Sequence, residues 1–359
     1  MAESRSTWSL ICLAATAVLV AMGVTACGDE GDSGGSGGSG GTLVLGASAG
    51  PLQEGYMKCA VEPFQRDTGI TVRYQAGSGA ENIAIVAAQK QNPPIDVMMG
   101  NDGNEYAGRK ADVFQVLDKS KLPNLESVSP DFLPKSDLAM PLGTSIGGIE
   151  YNTEVFQQNG WDPPTSFSDF WDPKYAGHVS LLDLSNSYGM LFLAALADLE
   201  GGDGTDFGPA FDKLAELKPN LHQVFHDNAQ MDQSFQQGTT WIAAQGGQRV
   251  QPLKESGAPV GFVQPEEGAL FLPIHLFLVK NGKNTENAYK LMDYFLSEEV
   301  QKCIGPDVGF GPVREGIEVP SELAQYFSPT DGVELAPADW TALYDQINDL
   351  NKRFSETVS

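Results

Sequence analysis

Predicted strands and helices alternate along the N-terminal third of the folded chain, and this alternation restricts the possible folds more than any other feature. Short apolar runs predict strands at Thr42–Gly46, Ile70–Tyr74 and Ile95–Met99. Apolar residues at helical spacing predict helices at Glu54–Thr68 and Ala80–Gln91. Strand–helix–strand units with this spacing form parallel sheets that carry helices on their faces. The sequence therefore predicts an α/β fold.

The rest of the chain predicts a second α/β lobe. Strands are predicted at Gly147–Tyr151, His178–Leu182, Thr240–Ala244, Val260–Val263 and Leu270–Val279, and helices at Ser166–Trp171, Tyr188–Leu199, Pro209–Leu217, Thr285–Ile304 and Ala338–Phe354. A chain of 359 residues is long enough for two lobes with their own cores.

The N-terminus has the features of an export signal. Arg5 precedes an apolar stretch at Leu10–Met22, which is shorter than the roughly 20 residues that span a bilayer. The following Val24-Thr25-Ala26-Cys27 resembles a bacterial lipobox, with Val24 in the place of the preferred Leu. The resemblance implies that residues 1–26 are a lipoprotein signal peptide and that Cys27 is acylated. The alternative is a membrane-anchor helix that stays on the chain.

Residues 27–41 predict a flexible tether, because Gly, Ser and Asp dominate them and bury no apolar surface. The folded part should therefore start near Thr42. A tether beside an acylated cysteine is typical of a lipoprotein anchored to the cell membrane on its extracytoplasmic side. The net charge of −25 argues against nucleic-acid binding, since such a protein repels phosphates.

Two of the four cysteines remain after the signal and the acylation site are set aside. Cys12 lies in the signal peptide and Cys27 is the predicted lipidation site. Cys59 and Cys303 are left, and an even pair in an exported protein predicts a disulfide. The alternative is two separate buried thiols.

Several phrases of the sequence occur in an order and spacing that resemble one protein family. They are Phe64-Gln-Arg-Asp-Thr-Gly-Ile-Thr-Val72, Val116-Leu-Asp-Lys-Ser-Lys-Leu122, Gly147-Gly-Ile-Glu-Tyr-Asn152, Pro164-Thr-Ser-Phe-Ser-Asp-Phe-Trp-Asp-Pro-Lys-Tyr-Ala-Gly-His-Val179, Gly257-Ala-Pro-Val-Gly-Phe-Val-Gln-Pro-Glu-Glu-Gly268 and Ala288-Tyr-Lys-Leu-Met-Asp-Tyr-Phe-Leu296. From about Thr42 to Arg314 the chain resembles extracellular solute-binding proteins of the spermidine/putrescine receptor group.

The resemblance implies a two-lobed periplasmic-binding-protein fold with two crossover strands and a cleft between the lobes. The crossovers are expected near Leu142–Ile146 and Pro273–Phe277. The expected limits are 42–143 plus 277–320 for lobe one and 144–276 plus 321–359 for lobe two.

The same resemblance implies a transport receptor and not an enzyme. Such a protein is expected to act as a monomer, to capture a small solute, and to deliver it to an ABC permease in the membrane. No cofactor is expected.

Polar residues that follow predicted strands are the candidate ligand contacts, because ligands of open α/β sheets bind at the carboxyl ends of strands. The candidates are Ser48, Ser78, Gly79, Asn101, Asp102, Asn186, Ser187, Tyr188, Gln245 and Arg249, together with His275 in the second crossover. The Gly-Ser-Gly turn before the Ala80 helix offers free N–H groups to an anionic oxygen. The alternative there is ordinary helix capping by Ser78.

Two other chemistries have weak support in the sequence. Gly46-Ala47-Ser48-Ala49-Gly50 matches the G-x-S-x-G elbow of serine hydrolases, so a secreted hydrolase that uses Ser48 is the alternative function. His222 and His226 are four residues apart and would share a face of a helix or a strand. Solvated histidines explain that pair more simply, and no metal site is predicted.

The ligand is expected to differ from a polyamine, which needs carboxylates and aromatic faces. Asp183 is kept where the related receptors carry an acid, but Leu272 and Ile274 align with their Trp and Asp. Asp102 is the remaining expected cleft carboxylate. The predicted ligand is a neutral polar solute, or an anionic one with Arg249 as its partner. Alternatively, acids such as Asp227 or Asp232 complete a polyamine site.

Overall fold

The computed structural model describes residues 40–202, 204–330 and 332–358. The predicted signal peptide at 1–26 and nearly all of the tether at 27–41 lie outside these residues. Among the helices described, none combines the length and the apolar character that a membrane crossing requires.

The strands of the described residues form one ten-stranded sheet. They are β1 Thr42–Ala47, β2 Thr71–Ala76, β3 Val97–Gly100, β4 Ala139–Asn152, β5 Val179–Leu182, β6 Leu221–Phe225, β7 Ile242–Gly246, β8 Val260–Val263, β9 Leu270–Leu278 and β10 Gly311–Pro312.

Helices connect these strands and cover the sheet. They are α1 Pro51–Tyr56, α2 Glu62–Thr68, α3 Gly79–Ala88, α4 Asp102–Lys110, α5 Thr153–Asn159, α6 Ser187–Leu199, α7 Gly208–Glu216, α8 Asn228–Gln236, α9 Val250–Glu255, α10 Thr285–Phe295, α11 Glu298–Val308, α12 Ser321–Ala324, α13 Trp340–Asp345 and α14 Ile347–Val358. A π-helical turn at Met57–Val61 joins α1 to α2, and short 3-10 helices include Phe167–Trp171.

The strand order β2-β1-β3-β9-β4-β7-β5-β6 divides the sheet into two parallel groups around the β4–β9 pair. β1 pairs in parallel with β2 and β3, and β5 pairs in parallel with β6 and β7. We call the part built on β1 to β3 lobe one and the part built on β5 to β7 lobe two. The predicted α/β fold with two lobes is confirmed, while the exact residue limits of the lobes stay a prediction.

The long antiparallel pair of β4 and β9 contains both predicted crossovers. It runs from Ala139 opposite Phe277 to Gly147 opposite Leu270. β3 ends beside β9, with Gly100 opposite His275, and β7 ends beside β4 at Gly147. Both ends therefore point at the same central stretch of the ladder, so the loops after them converge there.

Three of the predicted helices differ clearly from the helices in the structure. The first helix starts at Pro51 instead of Glu54, because proline fits the first helical turn, where no N–H partner is needed. The helix predicted at 285–304 is two helices, since Ser297 caps a new one by accepting from the Val300 amide. The closing helix is likewise divided, into α13 and α14.

The structure joins Cys59 and Cys303, as predicted for the exported chain. Cys59 lies in the π-helical turn and Cys303 in α11, with their Cα atoms 5.6 Å apart. The bond links two residues that are 244 positions apart in the sequence. It therefore ties the start of lobe one to a helix that returns to it near the end of the chain.

The C-terminal helices contact both lobes. α13 packs on α4 of lobe one, and α14 packs on α7 of lobe two. At the first contact, Tyr106 donates to the Asp345 carboxylate, and Lys110 Nζ lies 3.3 Å from the same group. A Cβ added at Gly103 would lie 2.6 Å from a ring carbon of Tyr344, so glycine is required for this close approach.

Candidate ligand-binding site

The N-termini of α4 and α6 meet at the centre of the predicted site. Asn101 caps α4 by accepting from the Asn104 amide, and Asn186 caps α6 by accepting from the Tyr188 amide. The side-chain amide of Asn101 donates to Ser187 Oγ at 2.8 Å. Three predicted site residues from two different lobes are thus brought together.

Tyr188 of lobe two belongs to a buried hydrogen-bond network. Its hydroxyl donates to Ser145 Oγ at 2.8 Å, and Ser145 donates to Gln248 Oε1 at 2.8 Å. A Cβ at Gly147 would lie 2.7 Å from the Tyr188 ring, so the glycine lets the ring lie on β4. Burial raises the pKa of Tyr188, which keeps its O–H as a donor.

Asp102 and His275 form a second contact between lobe one and a crossover strand. His275 Nε2 lies 2.8 Å from Asp102 Oδ1, while His275 is only 2% exposed and its Nδ1 has no partner among the described residues. The pair borders a groove of about 820 Å³, which Phe271 and Trp340 also line. Asp102 therefore already has a hydrogen-bond partner, His275.

Gln245 and Arg249 belong to a network inside lobe two. Gln245 is fully buried, and its Nε2 donates to Glu150 Oε2 at 2.7 Å and to Asp232 Oδ1 at 3.1 Å. Arg249 donates to Asp232 Oδ2 through Nε at 3.1 Å and also through Nη2. This network occupies the side-chain N–H groups of Gln245, and a direct ligand contact by Gln245 stays a prediction.

Arg249 also reaches a small crevice between the lobes. The crevice has a volume of about 190 Å³ and is lined by Pro51 and Leu52 of lobe one and by Gln248 and Arg249 of lobe two. Within the described part of the chain, Nη1 of Arg249 has no hydrogen-bond partner. Nη1 of Arg249 is thus a guanidinium nitrogen that remains able to donate hydrogen bonds at the boundary between the lobes.

Ser48, Ser78 and Gly79 lie at the rim of lobe one. Ser48 is exposed, and its carbonyl accepts from the Tyr74 hydroxyl at 2.7 Å. Ser78 caps α3 by accepting from the Glu81 amide, while Glu81 accepts from the Ser78 amide. Gly79 is the first residue of α3. The capping alternative therefore describes Ser78 in this structure, and its role toward a ligand stays a prediction.

The hydrolase alternative finds no support. Among the described residues, no hydrogen bond joins the Ser48 hydroxyl to a histidine. His178 stacks on Trp241 and its Nδ1 lies 2.9 Å from the Thr239 carbonyl, while His226 pairs with Asp183. A nucleophile without a base has no means of activation.

Sequence reasoning missed Ser145, Gln248 and Glu150, which take part in these networks, and it named Asp232 only as an alternative acid for a polyamine site. Glu150 was within reach of sequence reasoning, because a charged residue inside an apolar strand has to be compensated. The pairing of Asp232 with Gln245 and Arg249 was not foreseen, because Asp232 lies on a helix that was not predicted.

A family model described as bacterial extracellular solute-binding protein matches residues 59–327. The chain belongs to this family. Membership confirms the predicted family and the solute-binding, non-enzymatic role, and it agrees with the predicted location outside the cytoplasm.

Individual relatives agree with this family membership. The spermidine/putrescine-binding periplasmic protein of Escherichia coli K12 is 28% identical over 264 residues, which cover 70% of this chain and 72% of the relative. Spermidine/putrescine-binding periplasmic protein 1 of Haemophilus influenzae is 26% identical over 306 residues, with 82% of each chain covered.

Solved structures share the fold at lower identity. An ABC transporter substrate-binding protein from Bradyrhizobium japonicum has a TM-score of 0.75 at 21% identity, over 89% of this chain and 100% of that one. The spermidine/putrescine substrate-binding protein from Streptococcus pneumoniae has a TM-score of 0.71 at 20% identity, over 89% and 99%. These likenesses confirm the two-lobed periplasmic-binding-protein fold.

Proposed function

We propose that this protein is the substrate-binding component of an ABC importer, which captures a small polar solute between its lobes and delivers it to a permease. The observation that carries the proposal is the hydrogen bond from Asn101 of lobe one to Ser187 of lobe two. A contact between two capped helix ends at the carboxyl ends of strands belongs to a closed receptor. The E. coli relative is named as a periplasmic binding protein and the Bradyrhizobium japonicum neighbour as an ABC transporter substrate-binding protein, which supports the same role.

Closure gives a physical route from binding to transport. A solute that touches both lobes gains its full contacts only when the lobes are closed, so it shifts the population toward the closed form. A permease that distinguishes closed from open receptor then receives loaded molecules preferentially. The α13–α4 contact adds to the surface that forms between the two lobes.

The solute is proposed to be neutral or anionic, although the E. coli relative is named for spermidine and putrescine. Three acids named from the sequence have partners: Asp102 contacts His275, Asp183 contacts His226, and Asp232 contacts Arg249. Leu272 and Ile274, which align with a Trp and an Asp of polyamine receptors, are buried apolar side chains. A buried ammonium without a free carboxylate is costly.

Arg249 is the proposed anchor for an anionic group. Asp232 holds the guanidinium through Nε and Nη2, which fixes its orientation at the crevice between the lobes. A planar guanidinium held in this way suits a carboxylate or a phosphate oxygen.

The predicted acylated Cys27 and the tether are proposed to keep the receptor near its permease. A tether raises the effective concentration of a receptor at the membrane without any additional contact. The folded part is proposed to act as a monomer.

A ligand screen tests the proposal. The purified folded part is heated with a panel of sugars, sugar phosphates, amino acids, organic acids and polyamines. A separate panel of esters and amides is tested for turnover. A solute that binds the native state raises the melting temperature. Binding without turnover supports the receptor, and turnover that is lost in Ser48→Ala overturns it.

A further inference from the structure

Glu150 is a fully buried carboxyl group on the crossover strand β4, inside lobe two. Gln245 of β7 faces it with an amide, while Asp232 of α8 carries a neighbouring negative charge and Arg249 of the turn after β7 carries a neighbouring positive charge. Lys254 of α9 acts on it from farther away, but this side chain is exposed and contacts the Tyr326 hydroxyl at 3.3 Å.

The charges of this cluster do not balance if both acids are ionised. Asp232 and Glu150 would carry two negative charges against the single, partly buried positive charge of Arg249, whose guanidinium is committed to Asp232. An uncompensated charge in a protein interior is costly, and a buried acid avoids that cost by staying protonated. Asp227, which caps α8, adds negative potential at Asp232.

The hydrogen bonds of the cluster give a second, independent indication that one acid is protonated. Gln245 Nε2 donates one proton to Glu150 Oε2 and the other to Asp232 Oδ1. Two buried acceptors remain without a partner among the described residues, Glu150 Oε1 and Gln245 Oε1. A proton on Glu150 Oε1 would satisfy both at once, because the acid would then donate to the amide oxygen while its other oxygen accepts from the amide N–H.

We propose that Glu150 is a protonated carboxylic acid in the folded protein, paired with the amide of Gln245, and that this pair positions the Asp232–Arg249 ion pair at the crevice between the lobes. Glu150 acts through Gln245, which in turn holds Asp232. Its role is therefore a positioning role. The inference goes beyond the proposed function and does not depend on which solute binds.

The proposal predicts the direction in which stability changes with pH. Burial, with a smaller contribution from Asp232, raises the pKa of Glu150 to about 8, whereas the ordinary value is 4.5. Between these two values the folded protein holds a proton that the unfolded chain has lost, so this group's contribution to stability falls as pH rises. It is fully present below about pH 4.5 and has levelled off above about pH 8.

Glu150→Gln tests the proposal, because the amide can make the same paired hydrogen bonds without a proton that titrates. Chemical unfolding is followed from about pH 5 to 9 for the wild type, for this variant, and for Glu154→Gln, an exposed position on the next helix. The unfolding constant of the wild type should rise relative to Glu150→Gln by up to about tenfold per pH unit until about pH 8. Glu154→Gln should follow the wild type, and parallel curves for wild type and Glu150→Gln would overturn the proposal.

Carbon-13 spectra of glutamate-labelled protein measure the titration of each glutamate carboxyl group in the wild type, so this test does not require a stable variant. One carboxyl resonance should titrate near pH 8 and be absent from Glu150→Gln. Its midpoint should drop in Asp232→Asn, since Arg249 could then compensate an ionised Glu150. The Arg249 Nε–H resonance should change across the same transition in the wild type but not in Glu150→Gln. A set of glutamates that all titrate in the ordinary range would refute the assignment.

Discussion

The side-chain amide of Asn101 donates to the hydroxyl of Ser187 at 2.8 Å, and this bond joins the first turns of α4 and α6. The two residues are 86 positions apart and belong to different lobes. Both helices begin where a strand of the sheet has just ended, so the bond spans the region in which the proposed solute is captured.

Replacing Ser187 with Ala should weaken solute binding. The variant loses one hydrogen bond that the closed form makes, worth about 1 kcal/mol, so the dissociation constant should rise about fivefold. Calorimetry with a solute identified in the thermal screen measures this change. Ser185→Ala is the matched control, because Ser185 lies two residues before Ser187 and, within the described part of the chain, its side chain hydrogen-bonds only to Asp183 of its own lobe. Equal effects of the two substitutions would contradict a role in closure.

Adding one carbon at Gly103 should disturb the contact between α4 and α13. Alanine is the better helix former, so its intrinsic propensity alone predicts a small gain. The added Cβ would lie 2.6 Å from the Tyr344 ring, and overpacking of this kind costs about 1–3 kcal/mol. Denaturant unfolding should show a net loss in Gly103→Ala.

The double variant Gly103→Ala with Tyr344→Ala is the control for that experiment. It removes the ring that the new carbon would strike. The cost of alanine at position 103 should therefore be smaller in this background than in the wild type. A cost that is the same in both backgrounds would show that Tyr344 is not the cause.

Much of the fold could be predicted from local patterns. Apolar periodicity identified most strands, and the long β4 was visible in part as Gly147–Tyr151. The break at Ser297 was missed, although Ser297 followed by Glu298 and Glu299 is an ordinary helix start. The helix α4 was also missed, because two glycines lower its intrinsic propensity and packing on α13 compensates.

The candidate site was less predictable, because its geometry depends on distant partners. Gln245 and Arg249 follow a strand, which suggested ligand contacts. Asp232, however, is brought to both by the packing of α8, and it determines where they point. Asn101 and Ser187 were both named from the sequence, yet their pairing follows only from the sheet order.

Removing the disulfide should destabilise the folded part. Cys59 and Cys303 close a loop with a separation of 244 residues, and the chain-entropy model assigns about 5 kcal/mol to a loop of this length. Unfolding in denaturant should shift to lower concentration when reductant is added. The variant with Ser at both positions should unfold at this lower concentration with or without reductant. Peptide mapping without reductant that finds both thiols free in the native protein would contradict the bond.

Replacing Cys27 with Ser should abolish membrane anchoring. The predicted acyl chains attach to this thiol, and stable anchoring requires more than one chain. The variant should be found in the soluble fraction or retain its signal sequence, whereas the native protein should fractionate with membranes. Cys12→Ser is the control, since that cysteine lies inside the predicted signal. A native mature chain without lipid, cut at a different residue, would contradict the prediction.

Putrescine and spermidine should bind weakly, if at all. Each ammonium group needs a carboxylate, but Asp102 is engaged by His275 and Asp183 by His226. Asp232 already compensates Arg249, so recruiting it would leave that guanidinium without its carboxylate, at a cost of about 3–5 kcal/mol. Calorimetry at low salt should therefore give dissociation constants well above the micromolar range for both polyamines. A sub-micromolar constant that Asp102→Asn abolishes would show that Asp102 exchanges His275 for an ammonium group, and the solute would then be a polyamine after all.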